Sequence, residues 1–387
     1  GAVHLAYHGD SEVVSLEHTY LHTPHTLLAL EGTLGKQCRL GIQVRSDDLR
    51  EADQLALVVR ESVDAHDHRA LKITEPMRLG GSASFNGQLQ GSVKEPRLIG
   101  QLAGQNVRYR GTTLSMLRTQ LDLSSSVIAL REGRLQTSSQ GRVEFDMSVG
   151  LKNWSYEREN PVSLRTVADR LPVADVQQAA NLRYPITGLV SADLSLRGSQ
   201  TNPVGQGSVR LLEARVWEEK VQEFSLQFQG TGSAIHSTLS VRTPAGSGSA
   251  KATFYPKEDG YEAQVDFPSI QLNRLETVSI HNLQVAGIVK VSARGRGTLK
   301  APQLEATVEA PQLQWRQKVL DGLKARTAVA AQQATFTVDS SVSSAYIRAR
   351  GTVNLNPDYD ATVSVDTRAI DLGPLLASYL PRQGQRM

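Results

Sequence analysis

The sequence predicts a mainly β protein of antiparallel strands, each strand buried on one side only. Three observations predict it. Apolar and polar residues alternate with period two through most of the chain. Clusters of Gly, Pro, Ser and Asn interrupt that alternation about every ten to twelve residues, as turns between strands do. And one turn motif is written three times, as GSVKEP (91–96), GSQTNP (198–203) and GTLKAP (297–302).

The motif extends backwards. Gly81, Gly188 and Gly287 each lie ten residues before Gly91, Gly198 and Gly297, so the pattern G-x9-G-x4-P occurs three times. Its prolines, Pro96, Pro203 and Pro302, are 107 and 99 residues apart. Gly100, Gly207 or Ala306 follows four residues later, and Tyr109, Trp217 or Trp315 closes the segment. This is an internal repeat of about 100 residues. It divides the chain into a partial first repeat (1–80) and repeats at 81–187, 188–286 and 287–387. In each G-x4-P segment Gly supplies a turn conformation, and Pro fixes φ and ends the ladder.

In chain order, the elements are these. GIQVRS carries Ile42 and Val44 on one face. A helix is expected near 48–60, with Leu49, Ala52, Leu55, Ala56 and Val59 on one side, Asp47 or Asp48 as N-cap and Glu51 completing a capping box. The first full repeat places Ala83, Phe85, Gly87 and Leu89 on one face and Ser82, Ser84, Asn86 and Gln88 on the other. EFDMSVGL contributes Phe145, Met147, Val149 and Leu151. A second helix is expected over 163–180, from Leu164, Val167 and Leu171, a break at Pro172, then Val176 and Ala179. The next strand sets Val190, Ala192, Leu194 and Leu196 against Leu189, Ser191, Asp193 and Ser195. EFSLQFQG carries Phe224, Leu226 and Phe228, and YEAQVDF carries Tyr261, Ala263, Val265 and Phe267. The third copy sets Val289, Val291, Ala293 and Gly295 against Ile288, Lys290, Ser292 and Arg294. DATVSVDT carries Ala361, Val363 and Val365. A last helix is expected near 371–380, from Leu372, Leu375, Leu376 and Tyr379. About 30 strands fit this spacing.

Composition narrows the function. Lys plus Arg number 42 and Asp plus Glu 39, a net +3. No basic run points to nucleic acid or to a polybasic membrane patch. Cys38 is the single cysteine, so neither an intrachain disulfide nor a thiolate metal site can form. No window of eighteen apolar residues spans a bilayer, and no signal peptide opens the chain. We read the chain as a segment of a longer protein. His4, His8, His18, His22 and His25 cluster early, and DAHDH (64–68) adds His66 and His68, but no carboxylate–histidine spacing fits a metal site. GSG (246–248) and GRG (295–297) lack the strand–loop–helix setting of phosphate loops. Glu218 and Glu219, beside Lys220, read as a solvated turn. NWS (153–155) is a formal glycosylation sequon. There is no G-x-S-x-G elbow or argued Ser/His/Asp set, so the expectation is a protein that is not an enzyme and uses no metal or cofactor.

A half-buried sheet needs a cover for its apolar face. A second sheet could supply it, making a solid core, or the sheet could curl on itself. Here the chain resembles the AsmA/TamB superfamily, over roughly residues 80–380. The resemblance rests on G-x9-G-S/T-x3-P, the small residue after Pro, the trailing aromatic and the ending SVDTRAIDLGPLLA. It implies a long antiparallel sheet curled into an open, taco-like groove, with short helices lying over the groove or its ends. It further implies a bacterial periplasmic protein, anchored in the inner membrane by a segment outside this one. The implied function is phospholipid transport towards the outer membrane, and one branch of the family serves outer-membrane protein assembly.

The groove lining so implied is Ala83, Phe85, Leu89, Phe145, Met147, Val190, Ala192, Leu194, Leu196, Phe224, Leu226, Phe228, Val265, Phe267, Val289, Val291, Val363 and Val365. Gly91, Pro96, Gly198, Pro203, Gly297 and Pro302 are its structural turns. The partners implied are lipids, as bound phospholipid or fatty-acid chains, the inner membrane and an outer-membrane protein. The alternative is a structural or adhesive β-repeat rod with a solid interior, or an outer-membrane protein assembly scaffold.

Overall fold

In the computed structural model, residues 1–54, 79–92, 95–316, 318–342, 345–355 and 360–368 are described. The protein is mainly β, with 73% strand and 6% helix, and its 23 strands form one antiparallel sheet that does not close on itself. The described residues thus hold fewer strands than the roughly 30 that the turn spacing predicts for the chain, and several of them run to 14 residues. The chain divides into two compact units, Gly1–Trp217 with Phe224–Ile235, and Glu218–Glu223 with His236–Met387.

The first unit is a meander. Its early strands are β1 (Leu5–His8), β2 (Val13–His22), β3 (Thr26–Leu34), β4 (Cys38–Ser46), β5 (Gly80–Gly91), β6 (Pro96–Tyr109), β7 (Thr112–Ser124) and β8 (Val127–Thr137). After them come β9 (Arg142–Gly150), β10 (Val162–Pro172), β11 (Ile186–Gly198) and β12 (Pro203–Val216). Each pairs antiparallel with the next. β12 also pairs with β14 (Glu223–Thr231), past the short β13 (Glu219–Val221). The second unit holds β13, β15 (Ile235–Thr243), β16 (Gly246–Tyr255), β17 (Gly260–Gln271), β18 (Val285–Thr298), β19 (Pro302–Trp315), β20 (Lys318–Ala330), β21 (Gln333–Val342), β22 (Ala345–Asn354) and β23 (Ala361–Arg368). Strands β16 to β23 pair in sequence order.

The three written turns share one geometry. Gly91, Gly198 and Gly297 all have positive φ (91°, 107° and 117°), where a side chain would be strained. Ser92 and Glu95 then exchange backbone bonds (3.3 and 3.2 Å), as do Ser199 and Asn202 (3.3 and 3.2 Å) and Thr298 and Ala301 (3.4 and 3.2 Å). In each turn the Ser or Thr hydroxyl also accepts the second N–H, from Glu95 (3.0 Å), Asn202 (3.1 Å) or Ala301 (3.1 Å). Pro follows where no ladder donor is needed.

The helices correct the sequence reading in three places. Residues 49–54 are helical, as expected, but the rest of that helix and all of 371–380 lie outside the described residues. Glu51 does not complete a capping box there: its carboxylate accepts the Thr23 hydroxyl (2.8 Å) and the His25 N–H (3.0 Å). The segment 163–172 is strand β10, held between β9 and β11, and the helix is only Val173–Ala179. Leu164, Val167 and Leu171 mimic a helical stripe, yet Leu164 pairs in register with Met147 and Leu196, while Val167 points out. A third helix, Glu276–Ile280, was not foreseen. It is five residues long, too short to carry a periodic stripe, and its first N–H groups are bound from far away. The Glu219 carboxylate accepts the N–H of Glu276 (3.0 Å) and Thr277 (2.9 Å) and the Thr277 hydroxyl (2.7 Å). Glu218 lies in a turn, as expected, and meets His281 at 3.0 Å, whereas Glu219 belongs to a strand and is spent on this helix.

Both complete helices end alike. Asn181 (φ 53°) and Asn282 (φ 50°) take the left-handed position, and the following N–H, of Leu182 or Leu283, returns to the helix at Gln177 (2.8 Å) or Val278 (2.9 Å). Among the described residues, no helix is long and apolar enough to cross a membrane.

Candidate functional site

The alternation in each strand fixes which side chains share a face, and the register aligns them from strand to strand. In the first unit Leu40, Leu89, Leu98, Leu123, Ile128, Val149 and Val162 stand opposite one another across seven strands. Beside them run Leu121, Leu130, Met147, Leu164 and Leu196. The same face carries Phe85 opposite Val44, Leu194 beside Thr166 and Gly207, Ala192 beside Val209 and Leu226, and Val190 beside Leu211 and Phe224. In the second unit Phe267, Val291, Val308, Ala325, Val338, Ala349 and Val365 form one row, and Val265, Ala293, Ala306, Thr327, Phe336, Gly351 and Val363 the next. Val289 pairs with Ile270 and is buried. The expected lining residues thus share one apolar face within each unit.

That face is covered only in part. Ala83, Phe85, Leu89, Phe145, Leu194, Leu196, Phe224, Leu226, Phe228, Val265, Phe267 and Val291 are all half-buried. Met147 is 36% exposed, Val363 55% and Val365 58%. Among the described residues, the largest side chain less than 2% exposed is Thr137. A solid sandwich interior buries its Leu and Phe completely. The opposite face is polar as expected: Ser84, Gln88, Asp193, Lys290 and Arg294 are exposed. Ser191 is half-buried, and its hydroxyl accepts the Arg170 N–H (3.3 Å) at a bulge between β10 and β11.

One feature of the apolar face escaped the sequence reading. Five of the seven phenylalanines lie over glycines. The rings of Phe85, Phe145, Phe228, Phe267 and Phe336 occupy the space a Cβ would take at Gly87, Gly133, Gly207, Gly248 and Gly351. A glycine beneath each ring lets it settle onto the sheet, which keeps the surface low and covers exposed backbone. Gly133 and Phe145, Gly207 and Phe228, and Phe336 and Gly351 are register partners, so in these three the signal lies in strand pairing, while Phe85 and Gly87 are neighbours on one strand.

Chemistry-bearing clusters are sparse. Among the described residues, no group of three or more His, Cys, Asp or Glu is placed to hold a metal ion, and His66 and His68 lie outside those residues. Arg97 clamps Asp122 through two bonds (2.8 and 2.7 Å), holding that carboxyl below its usual range. Asp48 is held at about 2, chiefly by the Arg50 guanidinium. No protein-family model, curated protein or solved structure matches the chain.

Proposed function

We propose that this chain is a segment of a lipid conduit of the AsmA/TamB kind, built of repeats at 81–187, 188–286 and 287–387. In this reading it is periplasmic and is held to the inner membrane by a segment outside this one. The sheet curls so that its apolar rows line a groove for acyl chains, and no enzymatic step or cofactor is involved. The observation that carries the reading is the paired apolar rows within each unit, left half-exposed, with phenylalanine rings over glycines. Acyl chains need such a surface and no reactive group. Each CH₂ sheltered there gains about 0.8 kcal/mol. Rows of similar aliphatic residues offer no deep minimum, so a chain can slide along them.

The test has two parts. Mass spectrometry of the purified protein should find co-purifying phospholipid. Leu194→Asp, in the middle of the face, should leave the melting temperature close to wild type, because an open groove can hydrate the carboxylate and avoid most of its burial cost. It should also abolish lipid photocrosslinking beyond that position. Collapse of the fold by several kcal/mol would instead favour the solid rod. Undiminished crosslinking past the charge would overturn the conduit.

A further inference from the structure

The outward face of the first unit carries a second feature, independent of the apolar face. Across β2 to β8 it forms an open, amide-lined depression in two parts of about 1120 Å³ and 720 Å³, which share Gly41, Gln43 and Gln88. Ala29 and Gly41 leave its floor low. Its walls are amides: Gln43, Asn86, Gln101 and Gln120 stand directly opposite one another on β4, β5, β6 and β7, with Gln88 and Gln90 alongside. Tyr20, 45% exposed, closes one end of that row. Ile99 lies between Gln88 and Asp122 on the same face.

Two properties decide what this depression suits. Its charges balance: Glu31 and Arg39 border one part, Asp122 and Arg131 the other, and Asp122 is already clamped by Arg97. Gln90 donates to Gln88 (3.1 Å) and Gln120 to Glu132 (2.8 Å), but the three amides between are not spent on each other. Amides this close across strands can form a mutual ladder, as in stacked sheets, yet among the described residues the side chains of Gln43, Asn86 and Gln101 take no protein partner. Each offers one carbonyl acceptor and two N–H donors to whatever lies in the depression. Paired donors and acceptors without net charge, with an exposed phenol ring and one aliphatic side chain, match a ligand that is neutral, rich in hydroxyls or acetamido groups and apolar on its ring faces.

We propose that this depression binds an uncharged polysaccharide chain, the sugar hydroxyls or acetamido groups bonding to the amides and a ring face resting on Tyr20. The test uses the full chain with chitohexaose and cellohexaose as neutral probes and heparin as the anionic one. Saturation-transfer NMR should show transfer to at least one neutral probe. Gln43→Ala with Gln101→Ala should weaken that binding about tenfold or more, since each lost hydrogen bond contributes around 1 kcal/mol, while the melting temperature stays at the wild-type value. Asn86→Asp, which keeps the shape and adds a charge, should weaken it too, and Lys324→Gln in the second unit should not. No transfer to either neutral probe, equal affinity in the amide variants, or displacement of the neutral probe by heparin at lower concentration would overturn the proposal.

Discussion

The outward faces of the two units are built on the same pleat from different chemistry. In the first unit the central row reads Gln43, Asn86, Gln101 and Gln120, neutral throughout. In the second, Lys290, Glu309, Lys324, Asp339, Arg348 and Asp366 stand opposite one another on six successive strands, alternating in sign. There Lys324 bonds Glu309, Arg348 bonds Asp339 (2.6 Å), and Arg350 reaches Asp366 (3.3 Å). Opposite charges facing across strands stabilise and like charges destabilise. The second unit therefore writes its strand register into its outer face and uses those groups up in doing so. The first spends some outer groups on one another, Arg97 on Asp122 and Gln120 on Glu132, but leaves Gln43, Asn86 and Gln101 without a protein partner among the described residues.

The comparison is sharpest where the units should behave alike, on the apolar face. Gly133→Val in the first unit and Gly351→Val in the second each lift a phenylalanine off the sheet. Each should cost about 1–3 kcal/mol, the usual range for overpacking. Urea unfolding of the two variants checks this. A silent Gly351→Val beside a costly Gly133→Val would break the equivalence of the two apolar faces.

The next effect should separate the units. Lys324→Glu places three carboxylates side by side and should cost about 1–2 kcal/mol, two favourable pairs having become repulsive. Gln101→Glu, at the corresponding place in the first unit, should stay within about 0.5 kcal/mol. Hydrogen exchange on β19 to β21 and on β5 to β7 reads the two locally, and equal losses would erase the distinction.

Acid should separate them in the same sense. Glu309 is held below its usual range by Lys324, and Asp339 by Tyr346 and then Arg348. A carboxyl lowered by folding contributes stability above its unfolded value, and that contribution is lost as pH falls through the folded one. Protection of β19 to β22 should therefore decline once pH drops below about 4, and added salt should weaken it at neutral pH. The Gln43–Gln120 row has no such dependence.

How much of this was legible follows from the range of each signal. Period-two alternation is local, so the face assignment of Phe85, Leu194 or Val291 could be read directly, as could the three turns, whose hydroxyl and proline sit within six residues. Pairing is not local. Gly133 meets Phe145 only after β8 folds back on β9, and Gln43 meets Asn86 only across the segment between β4 and β5. The helix Glu276–Ile280 depends on Glu219, 57 residues earlier. In β10 the spacing of Leu164, Val167 and Leu171 satisfied the helical period while two neighbouring strands supplied a ladder on both sides, and the ladder prevailed.

The smallest expected effect lies at the end of the first unit's sheet, where the helix Val173–Ala179 packs its buried Val173 and the Thr112 hydroxyl donates to the Asp175 carbonyl (3.2 Å). The Asp175 carboxyl, in the first turn of this helix, has Oδ2 buried and unbonded. Burial pushes its pKa up, and a hydrogen bond with Thr137 offsets that only in part. A carboxyl raised by folding favours the folded state while protonated, so its contribution is greatest below the ordinary aspartate range and is lost as pH rises through the folded value. This is opposite in sign to Glu309 and Asp339. Asp175→Asn removes the buried charge and should raise the melting temperature slightly at neutral pH, with no gain below the ordinary aspartate range. Melting curves of wild type and variant across that interval give the check. A lower melting temperature for Asp175→Asn at neutral pH would mean that the charged carboxylate, held by Thr137, anchors the helix.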